Sequence, residues 1–302
     1  MKATCYVPIL FSLSAAFYCV AQESAFTYEA QAKLGVLNNS TLVVAELDQV
    51  SNQQDVALTM NAKLAGQWRA TSALTLQGGY SFARKDFQAF DRYDLDLHQL
   101  YVDAQYDFAW LSVGVRHDLA KAILQDEAFL SLNQTSIYTA KYLTTTTYLR
   151  SALIYKDKKI DSMASRDATN RGVDLNLFQF FAGGNTMLAF GLSGEQEEAL
   201  DQQFNYSSNS LNSSVLHKFE LFGQASQVQL DWRYRHSTYT DSASNTATQR
   251  KDIQQSIELQ WQQAIWRKMS VVAKVEYSDN QSSLPQLNYA QTISLIELQM
   301  TF

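Results

Sequence analysis

Thr292-Ile293-Ser294-Leu295-Ile296-Glu297-Leu298-Gln299-Met300-Thr301-Phe302 is the stretch whose reading decides the fold. Ile296, Leu298, Met300 and Phe302 share one face, while Glu297, Gln299 and Thr301 share the other. Side chains on a strand alternate between faces, so this is one amphipathic strand. Termini in water fray and usually end in polar residues. A strand that stops at an aromatic residue is how bacterial outer-membrane barrels close. Phe302, with Met300 and Leu298 on its face, is therefore expected to be the terminal signal read by the barrel-assembly machinery.

The same period of two recurs upstream. Phe26, Tyr28, Leu34 and Val36 oppose Thr27, Glu29, Gln31 and Lys33. Val228, Leu230, Trp232 and Tyr234 oppose Gln229, Asp231, Arg233 and Arg235. Ile257, Leu259 and Trp261 oppose Ser256, Glu258 and Gln260, and Val271, Ala273, Val275 and Tyr277 oppose Lys274 and Glu276. One such segment is a weak signal, but repetition along the chain predicts an all-β, transmembrane antiparallel barrel of about fourteen strands. Short turns are expected near 69–72, 107–110, 139–142, 182–186, 222–226 and 264–269. Long connections are expected near 38–54, 84–95, 119–127, 157–170, 195–209, 237–251 and 279–287. Trp68, Trp110, Phe181, Phe222 and Trp266 would form an aromatic girdle beside the short turns. Tyr80, Phe82, Tyr155, Tyr234, Tyr239 and Tyr277 lie towards the other end.

Residues 1–21 read as a cleaved secretory signal, with Lys2, an apolar run from Val7 to Val20, and small residues before Gln22. Tyr18 before Cys19 argues against lipidation. Residues 22–302 then form one barrel domain. Both cysteines, Cys5 and Cys19, fall in the signal, so neither disulfide nor thiol chemistry is expected in the remainder. The formal charge of −6, one unit more negative without Lys2, argues against a nucleic-acid partner. Outer-membrane lipid, including lipopolysaccharide, and a separate periplasmic protein are the other partners to expect. A Gram-negative outer membrane is the expected location.

Charges on the polar faces must point into the lumen, because Arg or Lys facing lipid costs roughly 2–4 kcal/mol at mid-membrane. Asp103, Arg116, Asp231, Arg233, Arg235, Glu258, Lys274 and Glu276 are the lumen candidates, with Arg233 and Arg235 the expected constriction. No connection looks long enough to form a folded plug, which favours an open channel for small polar solutes. The density of opposite charges instead favours a lumen closed by cross-barrel ion pairs. His98, His117, His217 and His236 match neither metal-ligand spacing nor a Ser–His or Asp–His enzyme signature. No enzymatic activity, metal or cofactor is expected. The acidic run Glu195 to Asp201 reads as solvated surface.

Leu37-Asn38-Asn39-Ser40, Glu46-Leu47-Asp48, Tyr80-Ser81-Phe82 and Ser165-Arg166-Asp167-Ala168 occur in that order. Val275-Glu276-Tyr277-Ser278-Asp279-Asn280-Gln281-Ser282-Ser283-Leu284-Pro285 and Asn288-Tyr289 follow. This order resembles the C-terminal barrel domain of the surface lipoprotein assembly modifier (Slam) family. The resemblance implies a barrel of about fourteen strands that helps a lipoprotein or secreted protein reach the cell surface. The family's periplasmic tetratricopeptide domain has no counterpart in this sequence.

Overall fold

The computed structural model describes residues 25–240 and 249–302. The signal-peptide reading and both cysteines lie outside the described residues. The strands are β1 (Phe26–Asn39), β2 (Leu42–Val44), β3 (Gln49–Ser51), β4 (Asp55–Arg69), β5 (Leu74–Phe87) and β6 (Leu95–Asp107). They continue as β7 (Ser112–Leu124), β8 (Glu127–Tyr142), β9 (Thr147–Ile160), β10 (Ala168–Phe181) and β11 (Thr186–Ala199). The last are β12 (Tyr206–Leu221), β13 (Gln224–Tyr239), β14 (Lys251–Trp266), β15 (Met269–Ser282) and β16 (Tyr289–Thr301). β2 and β3 pair only with each other; the remaining fourteen close into one antiparallel barrel in sequence order, β1 against β16. Closure leaves no barrel strand with an unpaired edge, as a backbone in lipid requires.

The seam explains the polar face of the last strand. β1 and β16 pair from Gln31–Thr301 to Asn39–Ile293. Glu297 turns inward opposite Gly35, where a Cβ would lie 2.5 Å from both the Glu297 Cγ and the Ile296 carbonyl oxygen. Glycine thus makes room for the carboxylate to lie across the seam. Asn61 Nδ2 donates to Glu297 Oε1 at 2.9 Å, and Lys33 Nζ is 3.9 Å from Oε2. The Phe302 N–H donates to the Ala30 carbonyl at 2.9 Å, so the terminal residue is itself stitched to β1.

Leu34, Leu58, Leu153 and Ile296 point outward and are 60–65% exposed, forming an apolar exterior. The start of β1 and the end of β16 share one rim, called the lower rim below; the opposite end is the upper mouth. Phe26, Trp68, Trp110, Phe181, Phe222 and Trp266 stand exposed at the lower rim beside its short turns. Phe222-Gly223, with φ of 54° and 72°, makes the two-residue hairpin whose twist suits flanking strands.

Two expectations about connections and one about an aromatic residue are corrected. The connection near 119–127 is the turn Gln125-Asp126, both residues at positive φ, with strand on either side. The turn placed at 139–142 falls at 143–146, because β8 runs on to Tyr142. Tyr239, placed with the outer aromatics, is only 1% exposed and lies inside the barrel under the Arg250 guanidinium, 4.2 Å from its ring centre. Most upper connections are short because the strands continue well past the apolar belt.

Candidate functional site

Residues 40–54 do not extend away from the barrel but fold across its upper mouth. Leu42 and Val44 of β2 are buried against Tyr93 on the β5–β6 connection and against Ala122, Phe129, Leu130 and Ile160 on strands four to six places round the barrel from β1. Val43 and Val50 pack the other way, on Leu287 and Tyr289 beside β16. A hairpin with two apolar faces has somewhere to bury each only if it sits inside the mouth. Gln291 Nε2 donates to the Thr41 carbonyl at 2.6 Å, and Thr41 Oγ1 donates to the Ala290 carbonyl at 2.9 Å, fixing its root.

The tip, Ala45–Leu47 with Asp48 in the left-handed region, is held by charge. Lys158 Nζ on β9 lies 3.9 Å from Glu46 Oε2 and 2.9 Å from Glu197 Oε2 on β11. Arg166 donates through Nη1 to the Glu46 carbonyl at 2.6 Å and through Nη2 to the Asp48 carboxylate. Arg250 Nη2 reaches the other Asp48 oxygen at 3.4 Å and holds Asp252 at 2.7 Å. Burial lowers the Arg166 guanidinium from its ordinary value while Glu46 raises it, and arginine remains charged at neutral pH. The expectation of a mouth without a plug is thereby corrected.

Beneath the hairpin lies a cavity of about 410 Å³. Leu42, Val44, Phe87, Tyr93, Leu124 and Phe129 line one side. Asp174, Asn176, Asn212, Arg233, Gln254 and Glu276 are among the residues of the other.

The lumen candidates fall in separate places. Arg233 and Arg235 both line the cavity; Arg235 is 7% exposed and is also held in the mouth network, donating to Tyr206 Oη at 3.0 Å and Ser208 Oγ at 3.1 Å, with Glu195 Oε1 at 3.4 Å. Both arginines thus border the space beneath the hairpin, with Arg235 tied to Glu195 at its mouth. Glu258, Lys274 and Glu276 come together, with Lys274 Nζ 3.3 Å from Glu258 and 3.8 Å from Glu276. Arg116 pairs with Asp118 on its own strand at 2.7 Å and lies over the Tyr101 ring. Asp103 accepts from Tyr138 Oη at 2.8 Å, and Asp231 accepts from Gln229 Nε2 at 2.9 Å. Met300 and Leu298 face outward with Phe302. These lumen ion pairs below the mouth join residues on one strand or on adjacent strands. They line the wall without crossing it.

Lys156, Lys158, Glu195 and Glu197 were missed among the inward residues. Glu195 and Glu197, read as solvated loop, sit inside the barrel: Lys156 pairs with Glu195, and Lys158 with Glu197. Histidines are tied to neighbours on the outer face: His98 Nδ1 to Tyr80 Oη at 2.7 Å, His117 to Thr135 and His217 to Thr186, each at 2.9 Å. Among the described residues no group of three or more His, Cys, Asp or Glu side chains could hold a metal ion.

No protein-family model and no curated protein matches this chain. Solved structures of outer-membrane barrels do. An anion-selective porin from Comamonas acidovorans is 12% identical, covering 93% of this chain and 100% of its own, with a TM-score of 0.53. Outer-membrane expressed OmpT of Vibrio cholerae is 10% identical, covering 94% and 100%, with a TM-score of 0.54. At such identity the likeness is one of fold: a closed barrel of the outer-membrane type. None of these similarities is to the Slam family in particular.

Proposed function

We propose that this protein is an outer-membrane channel for small polar solutes whose upper mouth is closed at rest by the β2–β3 hairpin. The observation that carries this reading is the division of the lumen. The hairpin spans the mouth, a cavity lies beneath it, and the described ion pairs lower down run along the wall. A barrel sealed throughout for stability alone has no need of a separate lid. In this reading the lower rim, where β1 starts and β16 ends, faces the periplasm and the capped mouth faces outward, surrounded by lipopolysaccharide. Arg233, Glu258, Lys274 and Glu276 line the solute path and set its ion preference, and Arg235 acts through the lid's anchoring network. Phe302 and its face guide assembly by the barrel-assembly machinery.

The test is conductance of refolded residues 22–302 in a planar bilayer, beside a variant in which 40–54 is replaced by a short Gly-Ser connection. The native chain should give rare, brief openings and the variant stable steps. A folded, heat-modifiable variant that gives no steps overturns the channel reading.

The resting closure also suits a second reading, the one implied by the Slam resemblance. There the barrel helps to display or export another protein, with a periplasmic partner displacing the lid. Failure of the lidless variant to conduct, together with capture of a surface lipoprotein by the native barrel, would favour it.

A further inference from the structure

The cavity under the lid has two walls of opposite chemistry, and its polar wall carries both signs of charge. Asp174 of β10 and Arg233 of β13 line it; each has an opposite charge in its surroundings, Lys156 for Asp174 and Glu258 for Arg233, but neither is locked to it in a close pair. Elsewhere in the lumen the opposite charges mostly neutralise each other. Lys274 lies between Glu258 and Glu276, and Arg116 forks onto Asp118. Two charges of opposite sign in one cavity, neither locked in a close pair, constitute a complement to a ligand that also carries both.

The wall between them is shaped to let a ligand approach. The register runs Asn176–Gly191–Asn212–Arg233 across β10 to β13. At Gly191 a Cβ would lie 1.7 Å from Asn212 Oδ1 and 2.7 Å from Asn176 Oδ1, so the two amides converge over the glycine. Asp174 stands one inward position above Asn176. Three strand spacings of about 4.8 Å separate β10 from β13, roughly 14 Å along the wall. Arginine's long side chain spans much of that distance, leaving room for one small molecule to touch both charges.

Across the cavity Leu42, Val44, Phe87, Tyr93, Leu124 and Phe129 form a mainly apolar wall, with Glu46 and Lys85 at its edge. A sugar would leave its hydroxyls unpaired there, and a simple inorganic ion would leave the wall unused. The cavity volume of about 410 Å³ falls in the range of small-molecule sites.

We infer that the lidded cavity is a binding site for a small zwitterion with an apolar side chain, an α-amino acid or dipeptide. Arg233 takes the carboxylate in a forked, charge-assisted pair, and Asp174 takes the ammonium. Asn176 and Asn212 supply amide hydrogen bonds between these charges, and the hairpin wall takes the side chain. This names the solute class of the proposed channel and rests on that reading for its transport role, but not for binding itself.

Calorimetry on refolded residues 22–302 in detergent tests it with three probes: L-leucine, 4-methylpentanoate lacking the ammonium, and 3-methylbutylamine lacking the carboxylate. Leucine should bind at least tenfold more tightly than either truncated probe. Arg233→Gln and Asp174→Asn should each lower leucine affinity tenfold or more. Arg233→Lys should restore part of the loss, and heat-modifiable migration verifies that each variant is folded. Absence of leucine binding to the folded barrel, equal affinity for all three probes, or folded variants that bind leucine like the native chain would overturn the inference. Because binding is read without a membrane, a barrel that conducts but ignores leucine sinks this assignment alone. One that binds leucine but never conducts when the lid is removed sinks the channel alone.

Discussion

The closing seam and the upper mouth are built from the same kinds of residue under opposite rules. At the seam, β16 presents Ile296, Leu298 and Met300 outward and Glu297 inward, and the environment on each side enforces the alternation. At the mouth, Lys156-Asp157-Lys158-Lys159 and Glu195-Gln196-Glu197-Glu198 are polar on both faces, and nothing in their hydropathy says which way each points. The strands are equally regular in both places. What changes is the solvent outside them. Alternation in hydropathy records the contrast between lipid and lumen, so it fades where strands rise above the apolar belt although the sheet continues.

The largest effect that this contrast predicts is at the seam. Ile296→Arg puts a charge on the apolar exterior and should lower stability by about 2–4 kcal/mol, read as a fall in the urea midpoint of the barrel refolded in lipid vesicles. A midpoint within error of the native one would mean that this face does not meet lipid, and the contrast between seam and mouth would collapse.

Much of the seam's side of the comparison was legible from residue order. Fourteen strands, the closing role of β16 and the inward direction of Glu258, Lys274 and Glu276 follow from a period of two. The mouth's partners were not, because Lys158 and Glu197 come from segments that look like loops, and their pairing requires knowing that β9 and β11 flank β10. A signal for the lid was present. Leu42-Val43-Val44 and Val50 form an apolar cluster within 38–54, and a loop exposed to water has no reason to carry one. The length of that connection was weighed as a plug, whereas its composition was the informative property: ten residues with two apolar faces suffice to span a mouth already narrowed by long strands.

A second, smaller effect is expected where charge holds the lid. Asp48 is contacted by both Arg166 and Arg250, and its side chain is 19% exposed. Asp48→Asn keeps the shape and removes the charge, so the closed state should lose about 1–2 kcal/mol, raising the open-to-closed ratio roughly 5- to 30-fold in single-channel records. Since part of this attraction is screened, the native channel in molar salt should shift towards the variant's behaviour. Openings unchanged by both treatments would mean that the apolar contacts of Leu42 and Val44 hold the lid alone.

The smallest effect tests the account of the mouth most directly. Lys158 and Lys159 are neighbours on β9, yet Lys158 is buried against Glu46 and Glu197 while Lys159 is exposed on the outer face. If the upper strands stand above the apolar belt, the outer face there is wet, and a charge on it does little to stability. Lys159→Gln should therefore leave the urea midpoint and the channel record unchanged, within about 0.5 kcal/mol. A stabilisation approaching the 2–4 kcal/mol by which a lipid-facing charge costs a barrel would place Lys159 inside the membrane. The membrane would then reach the mouth itself, and the loss of alternation in these strands would need a cause other than water on both faces.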